Sequence, residues 1–341
     1  MSPPLSPPLS PPLSPPLSGP LNTLLRGDCL ELLPRLPDRS VHLVLCDLPY
    51  GTTQNKWDSV IDLPRLWAEY TRVLAPGGVV VLTAQGVFTA KLILSNERWF
   101  KYKWVWQKSK PTNFLNARRQ PLRAHEDVCV FYGEQPTYQP QMTPGEAYDK
   151  GVRKDQLTGS YGVFNRAHVR SDGERYPIDV VRFKTAEAEG PVWHPTQKPV
   201  ALGRYLVRTY TRPGDVVLDT CFGSGSFLVA ALAEGRNFIG MELDERTVFF
   251  REDEGYGGEA LDFHALARRR IHATWAGMEA STRATVHGSA LLDTLNGPPP
   301  ELPRNPRKAR EAITGTVGQQ GLFPTDTGGP TDTGGPTDTG G

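Results

Sequence analysis

Val216-Val217-Leu218-Asp219-Thr220-Cys221-Phe222-Gly223-Ser224-Gly225 is the stretch that decides the fold. A short β-branched apolar run ends in a carboxylate, and two glycines then turn the chain into Ser226 to Glu234, an apolar helical stretch closed by Gly235. Phe238-Ile239-Gly240-Met241-Glu242 follows as a second strand, which makes a βαβ unit with parallel strands. The glycines let the backbone approach a ligand closely, and the helix N-terminus turns positive potential toward it. Glu242 ends the next strand, where a carboxylate can accept both hydroxyls of a ribose. Loop and carboxylate together point to a nucleoside-containing cofactor, although a glycine-rich turn alone also serves tight packing. No lysine follows the glycines, so this is not the Gly-x-x-x-x-Gly-Lys-Ser/Thr pattern that cradles a nucleoside triphosphate.

Outward from this unit, Val41 to Cys46 and Val79 to Leu82 read as further buried strands, the second after Pro76-Gly77-Gly78. Trp99 to Lys108 and Asp127 to Tyr132 read as two more, forming an antiparallel edge. Helical patterns separate the strands. The expected fold is α/β: a Rossmann-like, doubly wound, mostly parallel sheet with an antiparallel edge strand.

Asp47-Leu48-Pro49-Tyr50 leaves the Val41 to Cys46 strand at its carboxyl end, where open α/β sheets bind ligands. A carboxylate, a carbonyl on a proline-restricted backbone and an aromatic ring suit a planar aromatic amine. Carboxylate and carbonyl would accept its two N–H bonds while the ring stacks on its face. An exocyclic amine is a poor nucleophile because its lone pair is delocalised. Two acceptors aimed at its hydrogens favour the pyramidal form and stabilise the positive charge that grows on nitrogen. An Asp-x-Pro turn leaving a strand is the plainer alternative.

The folded part is bounded by composition. Residues 2–17 repeat Ser-Pro-Pro-Leu and residues 324–341 repeat Pro-Thr-Asp-Thr-Gly-Gly, neither able to bury a core. The segments 1–20 and 297–341 are therefore expected to be disordered tails, the second beginning with a linker rich in Pro, Arg and Lys. That leaves 21–296 as the domain. Within it, residues 134–192 are polar, rich in Gly, Pro, Tyr and Arg, and too long for an ordinary loop; they read as an insertion. Cys29, Cys46, Cys129 and Cys221 form no Cys-x-x-Cys pair, which argues against a structural metal or a disulfide framework and fits a reducing cytoplasm. No apolar run reaches membrane-spanning length, and the N-terminus has no signal-peptide pattern.

Net charge is +1, so nucleic acid would have to be met by a local patch. Between Lys101 and Arg123 there is no Asp or Glu, and basic residues interleave with Tyr102, Trp104, Trp106 and Phe114. The first half also fits a half-buried strand with solvated lysines. The second half reads as a nucleic-acid-facing loop carrying Lys108, Lys110, Arg118, Arg119 and Arg123. From Lys150 to Lys184 basic residues again outnumber acidic ones, and this stretch is the candidate target-recognition region. No helix-turn-helix or zinc motif is visible.

Asp47-Leu48-Pro49-Tyr50 resembles the catalytic Asp/Asn/Ser-Pro-Pro-Tyr/Phe/Trp motif of amino-methyltransferases, and Asp219 to Gly225 resembles their cofactor motif. His194-Pro195-Thr196-Gln197-Lys198-Pro199 is similar to the segment that precedes the cofactor motif in one branch. The order of these motifs around the insertion resembles that of the permuted β-group of DNA N6-adenine and N4-cytosine methyltransferases. Gly51 to Asp58 and Pro121 to Glu126 resemble orphan and prophage-type site-specific members. The match covers Leu25 to Glu245. Two departures stand out: Leu48 replaces the first proline, and Cys221 stands where the cofactor motif usually has Phe, with Phe222 beside it.

The resemblance implies S-adenosylmethionine as cofactor and base flipping of double-stranded DNA. It implies that Asp47 and the Pro49 carbonyl hold the target amine and that Tyr50 stacks on the base. Asp219, Cys221, Phe222, Gly223 and Gly225 would shape the cofactor loop, with Glu242 on the ribose. Thr196 and Lys198 would lie near the methionine end, and Asp28 near the cofactor adenine. Asp at position 47 goes mostly with adenine in that family, so N6 of adenine is the expected target and N4 of cytosine the alternative. RNA adenine, a protein glutamine and a non-catalytic DNA-binding relative are the other readings. A homodimer and a companion restriction enzyme are left open.

Overall fold

The computed structural model describes residues 21–51, 59–152, 168–190, 192–194, 196–243, 247–249 and 260–286. Both terminal repeats, the linker after residue 296, most of Gly51 to Asp58, Pro195 and the middle of the Lys150 to Lys184 stretch lie outside these residues.

Strands β1 (Thr23–Arg26), β2 (Val41–Cys46), β3 (Leu74–Ala84), β4 (Phe100–Thr112) and β5 (Arg123–Phe131) come first in the chain. Two small antiparallel ribbons follow, β6 (Thr143–Pro144) with β9 (Glu174–Arg175), and β7 (Tyr148–Val152) with β8 (His168–Ser171). Then come β10 (Val180–Phe183), β11 (Val216–Asp219) and β12 (Asn237–Glu242), and a short pair β13 (Thr247–Phe249) and β14 (Ala260–Asp262). Eight strands form one sheet in the order β1-β12-β11-β2-β3-β5-β4-β10. All neighbours pair in parallel except β5, which is antiparallel to both β3 and β4.

The mostly parallel α/β sheet expected from sequence is present, with one difference in detail. The antiparallel strand is internal, and the edge is β10, contributed by the polar stretch read as an insertion. β10 is only four residues long and pairs in parallel with Val105 to Lys108. Its alternation of half-buried and exposed residues carries too weak a pattern to read as a sheet strand.

Helices cover both faces. In α2 (Leu63–Val73), Asp62 caps the first turn by accepting from the Arg65 N–H at 3.1 Å, and Leu66, Trp67, Tyr70 and Val73 fall on one buried stripe. α3 (Val87–Ser95) packs Phe88 and Leu92 on the same side of the sheet. On the other face lie α4 (Val200–Tyr210), α5 (Ser226–Ala233) and α6 (Phe263–Gly277). α5 is apolar on all sides because it is sandwiched between α4, α6 and the sheet, and seven of its residues are buried. No helix among the described residues is long and apolar enough to cross a membrane.

The topology delivers chemistry to one edge. β12, β11, β2 and β3 are parallel neighbours, so their carboxyl ends, with Glu242, Asp219, Asp47 and Thr83, lie side by side. Because β5 runs the other way, its amino-terminal end, with Glu126 and Asp127, reaches the same edge. β4 points its carboxyl end there as well, with Trp106 opposite Glu126 and the Lys108 side chain reaching that carboxylate.

Candidate active site

These strand ends line a cavity of about 850 Å³. Asp28, Asp47, Pro49, Tyr50, Thr196, Lys198, Asp219, Cys221, Phe222, Gly223 and Glu242 all lie on its wall, as do Lys108, Arg123 and Glu126. The residues singled out in the sequence, up to 214 positions apart between Asp28 and Glu242, therefore share one cavity.

On one side lies the Asp219 to Gly225 loop. Glu242 Oε2 accepts the Gly223 N–H at 2.7 Å, and Asp219 Oδ1 accepts the Cys221 N–H at 3.2 Å. Gly223 has φ +51° and Gly225 φ +77°, backbone that a side chain disfavours. Gly225 is not on the cavity wall: a Cβ there would stand 2.9 Å from the Ala267 Cβ of α6, so its place in the loop is set by helix packing. Phe222 is buried, with its ring edge-on to His264 at 4.9 Å between centroids. Asp28 caps the short helix α1 (Cys29–Leu32), its Oδ1 accepting the Leu30 N–H at 2.8 Å. The Asp219 carboxyl is pushed up to about 7, chiefly by burial; hydrogen bonds from Cys46 and the Cys221 amide oppose this, and the charges of Glu242 and Asp47 add to it.

On the other side lies Asp47. Its Oδ1 accepts the Tyr50 hydroxyl at 2.8 Å and the Thr83 hydroxyl, and its Oδ2 lies 2.6 Å from Lys198 Nζ. The Tyr50 ring stacks on Phe88, with centroids 5.0 Å apart and planes at 22°. Lys198 Nζ is 5.7 Å from the Tyr50 centroid and 3.3 Å from Glu126 Oε2, and Glu126 Oε1 is paired with Lys108 at 2.5 Å. Asp47, Lys198, Glu126 and Lys108 thus form a chain of alternating charge, with both lysine side chains 7% exposed. Burial alone would pull Lys198 down, but the two carboxylates outweigh it and hold the ammonium above the usual lysine range. Burial would likewise raise Glu126, and Lys198 and Lys108 overcome it, leaving that carboxyl below its usual range.

Of the residues grouped as basic in the sequence, Lys110, Arg118, Arg119 and Arg123 are exposed on the β4–β5 hairpin. Lys108 is not: it shares the inward face of β4 with Trp104 and Trp106. Its ammonium sits 5.3 Å from the Trp106 ring and pairs with Glu126. Thr196 is exposed, its hydroxyl 3.0 Å from His194 Nδ1, and Lys198 reaches Asp47 from the same segment. Thr83 and Phe88 had no distinguishing signal in the sequence, and Glu126 was visible only as the last residue of a motif. Among the described residues no group of three or more His, Cys, Asp or Glu side chains could hold a metal ion.

Fold and site define an α/β protein with a glycine-loop ligand pocket beside a half-buried Asp-Tyr-Lys cluster, at the carboxyl edge of a doubly wound sheet. The chain belongs to the DNA methylase family that groups N6 and N4 enzymes, whose model matches residues 41–249. It is 26% identical to the type II methyltransferase M.HinfI of Haemophilus influenzae over 259 residues. That match covers 67% of this chain and 66% of the relative, so it spans just under two thirds of that protein's length. Among solved structures, the M1.HpyAVI–SAM complex is 20% identical, with 73% of this chain and 98% of that one covered at a TM-score of 0.48. The cytosine-N4-specific PvuII DNA methyltransferase is 14% identical, with 86% and 93% covered at 0.47.

Proposed function

We propose that this protein transfers a methyl group from S-adenosylmethionine to N6 of adenine in duplex DNA. The observation that carries this reading is that Asp47 and Tyr50 share one cavity with the Asp219 to Gly223 loop and Glu242. Family membership over residues 41–249 supports the reaction class.

The donor set fits the cofactor. S-adenosylmethionine is a sulfonium cation with a ribose diol. The pocket offers Glu242 at a strand end and Asp219, a buried carboxyl whose raised pKa a nearby cation would relieve. Cys221 and Phe222 offer apolar surface beside them. When bound, the cofactor supplies an electrophilic methyl group. The chain's own residues do the rest. Asp47 and the Pro49 carbonyl accept the two N–H bonds of the target amine, turning its lone pair outward and offsetting the positive charge that develops on nitrogen. Tyr50 covers one face of the base, and its hydroxyl, donating to Asp47, keeps carboxylate and ring in register. No covalent base adduct is needed, and Cys221 acts as packing rather than as a nucleophile.

A base inside a duplex cannot reach such a cavity, so the target must be flipped out of the helix. The exposed Lys110, Arg118, Arg119 and Arg123 supply phosphate contacts, and Arg123, on the cavity wall, stands where the displaced strand would pass. Residues 134–192 form the target-recognition region within a methyltransferase domain spanning 21–296. Single-molecule sequencing of host DNA with and without expression tests the proposal: a new modified-adenine signal in a fixed sequence context supports it, and an unchanged methylome overturns it.

A further inference from the structure

Both oxygens of Asp47 are engaged. Lys198 holds Oδ2 at 2.6 Å, and Tyr50 and Thr83 donate to Oδ1. A carboxylate so closely paired with an ammonium has its charge largely cancelled nearby, which weakens it as an acceptor for an incoming amine although it lines the cavity. Loosening this pairing would favour the proposed reaction. Lys198 cannot simply be released, because its side chain is 7% exposed and a buried ammonium left without a partner is costly.

One other carboxylate is within reach. Glu126 Oε2 is buried, makes no hydrogen bond, and lies 3.3 Å from the same Nζ. The rest of Glu126 is fixed: Oε1 pairs with Lys108 at 2.5 Å, and the backbone is held by pairing with Trp106 across β4–β5. A movement of about half an ångström would bring Nζ to hydrogen-bond distance from Oε2.

We infer that Lys198 is handed from Asp47 to Glu126 when the target amine enters, which makes Glu126 a positioning residue that frees Asp47. This rests on the proposed methyl transfer. Before the handover Lys198 is held closely by Asp47 at 2.6 Å and more loosely by Glu126 at 3.3 Å, while Glu126 pairs with Lys108. Afterwards Glu126 holds both lysines closely, and Asp47, with Lys198 drawn partly away, keeps more of its negative charge for the amine. The negative charge of Asp47 is thus strengthened when a cationic transition state is about to form there.

Glu126→Gln in the full-length protein tests this. It keeps the shape of Glu126 and a hydrogen-bond acceptor for Lys108 but offers Lys198 no charge. The single-turnover methylation rate should fall on the order of tenfold or more, with DNA and S-adenosylmethionine dissociation constants unchanged. In a Lys198→Gln background, where nothing remains to hand over, the same substitution should have no further effect on the rate. Equal rates for wild type and Glu126→Gln, or effects of the two substitutions that multiply independently, would overturn the inference. If Glu126→Gln lowers the melting temperature, Glu126→Asp replaces it: withdrawing the carboxylate should slow turnover with melting unchanged, and wild-type turnover would overturn the inference. A wild-type protein that never methylates DNA defeats the proposed function instead, whereas an active one insensitive at Glu126 defeats only the handover.

Discussion

Gly223 donates its backbone N–H to Glu242 Oε2 at 2.7 Å, tying the glycine loop to the end of the next strand. One carboxylate therefore shapes the loop and faces the cavity. Glu242→Ala should weaken binding of both S-adenosylmethionine and S-adenosylhomocysteine by about tenfold or more, since a buried hydrogen bond to a charged group is worth roughly 1.5–3 kcal/mol. Isothermal titration calorimetry measures this. Unchanged affinity would mean that Glu242 serves the loop alone.

Asp219 makes the ligand-free protein pH-sensitive. Its folded pKa of about 7 lies above the ordinary unfolded value of roughly 3.9. Between those values the folded state holds the extra proton, so stability must fall as pH rises through that window and level off above it. Melting temperature followed from about pH 4 to about pH 8 should decline more steeply in wild type than in Asp219→Asn. Parallel curves would remove Asp219 as the source.

The basic residues divide by burial. Neutralising exposed Lys110, Arg118, Arg119 or Arg123 should weaken binding to all DNA sequences and flatten the salt dependence by about one unit of slope per contact. Lys108, paired with Glu126 inside the wall, should instead affect turnover and stability with the slope intact. Fluorescence anisotropy across a salt series separates the two, and an unchanged slope for the exposed set means they are merely solvated.

The two loop glycines should differ in cost. Gly225→Ala meets both a φ of +77° and a Cβ 2.9 Å from Ala267, whereas at Gly223 the nearest atom would be an ordinary 3.6 Å away. Denaturant melts should show Gly225→Ala losing about 1–3 kcal/mol and Gly223→Ala less. The reverse order would contradict this division of labour.

Much of this was legible in the sequence where local pattern and tertiary role agree. Val41–Cys46 and Val216–Asp219 are strands over the residues read from their apolar runs, because both are buried on two faces. The glycine loop and Glu242 converge as βαβ geometry demands. Reading failed where pairing partners decide. β4 runs on to Thr112, beyond the stop read at Lys108, because β5 pairs with it there. Lys108, read both as the end of that strand and as part of a nucleic-acid-facing loop, belongs to the strand: the period-2 alternation of Trp104 and Trp106, carried one step further, marks it as an inward residue. β10 becomes an edge strand only by docking on β4. Thr83 and Phe88 reach Asp47 and Tyr50 solely through sheet order, which no single stretch of sequence encodes.

The most direct test incubates the full chain with S-adenosylmethionine and unmethylated duplex DNA, then resolves the digested nucleosides by mass spectrometry, for wild type and Asp47→Ala. Tyr50→Phe, which keeps the ring and loses only the hydroxyl bond to Asp47, is expected to retain partial activity alongside them. Wild type should yield N6-methyladenine, and Asp47→Ala should yield none while still binding the cofactor. N4-methylcytosine in place of N6-methyladenine would contradict the base assignment, and undiminished methylation by Asp47→Ala would contradict the mechanism.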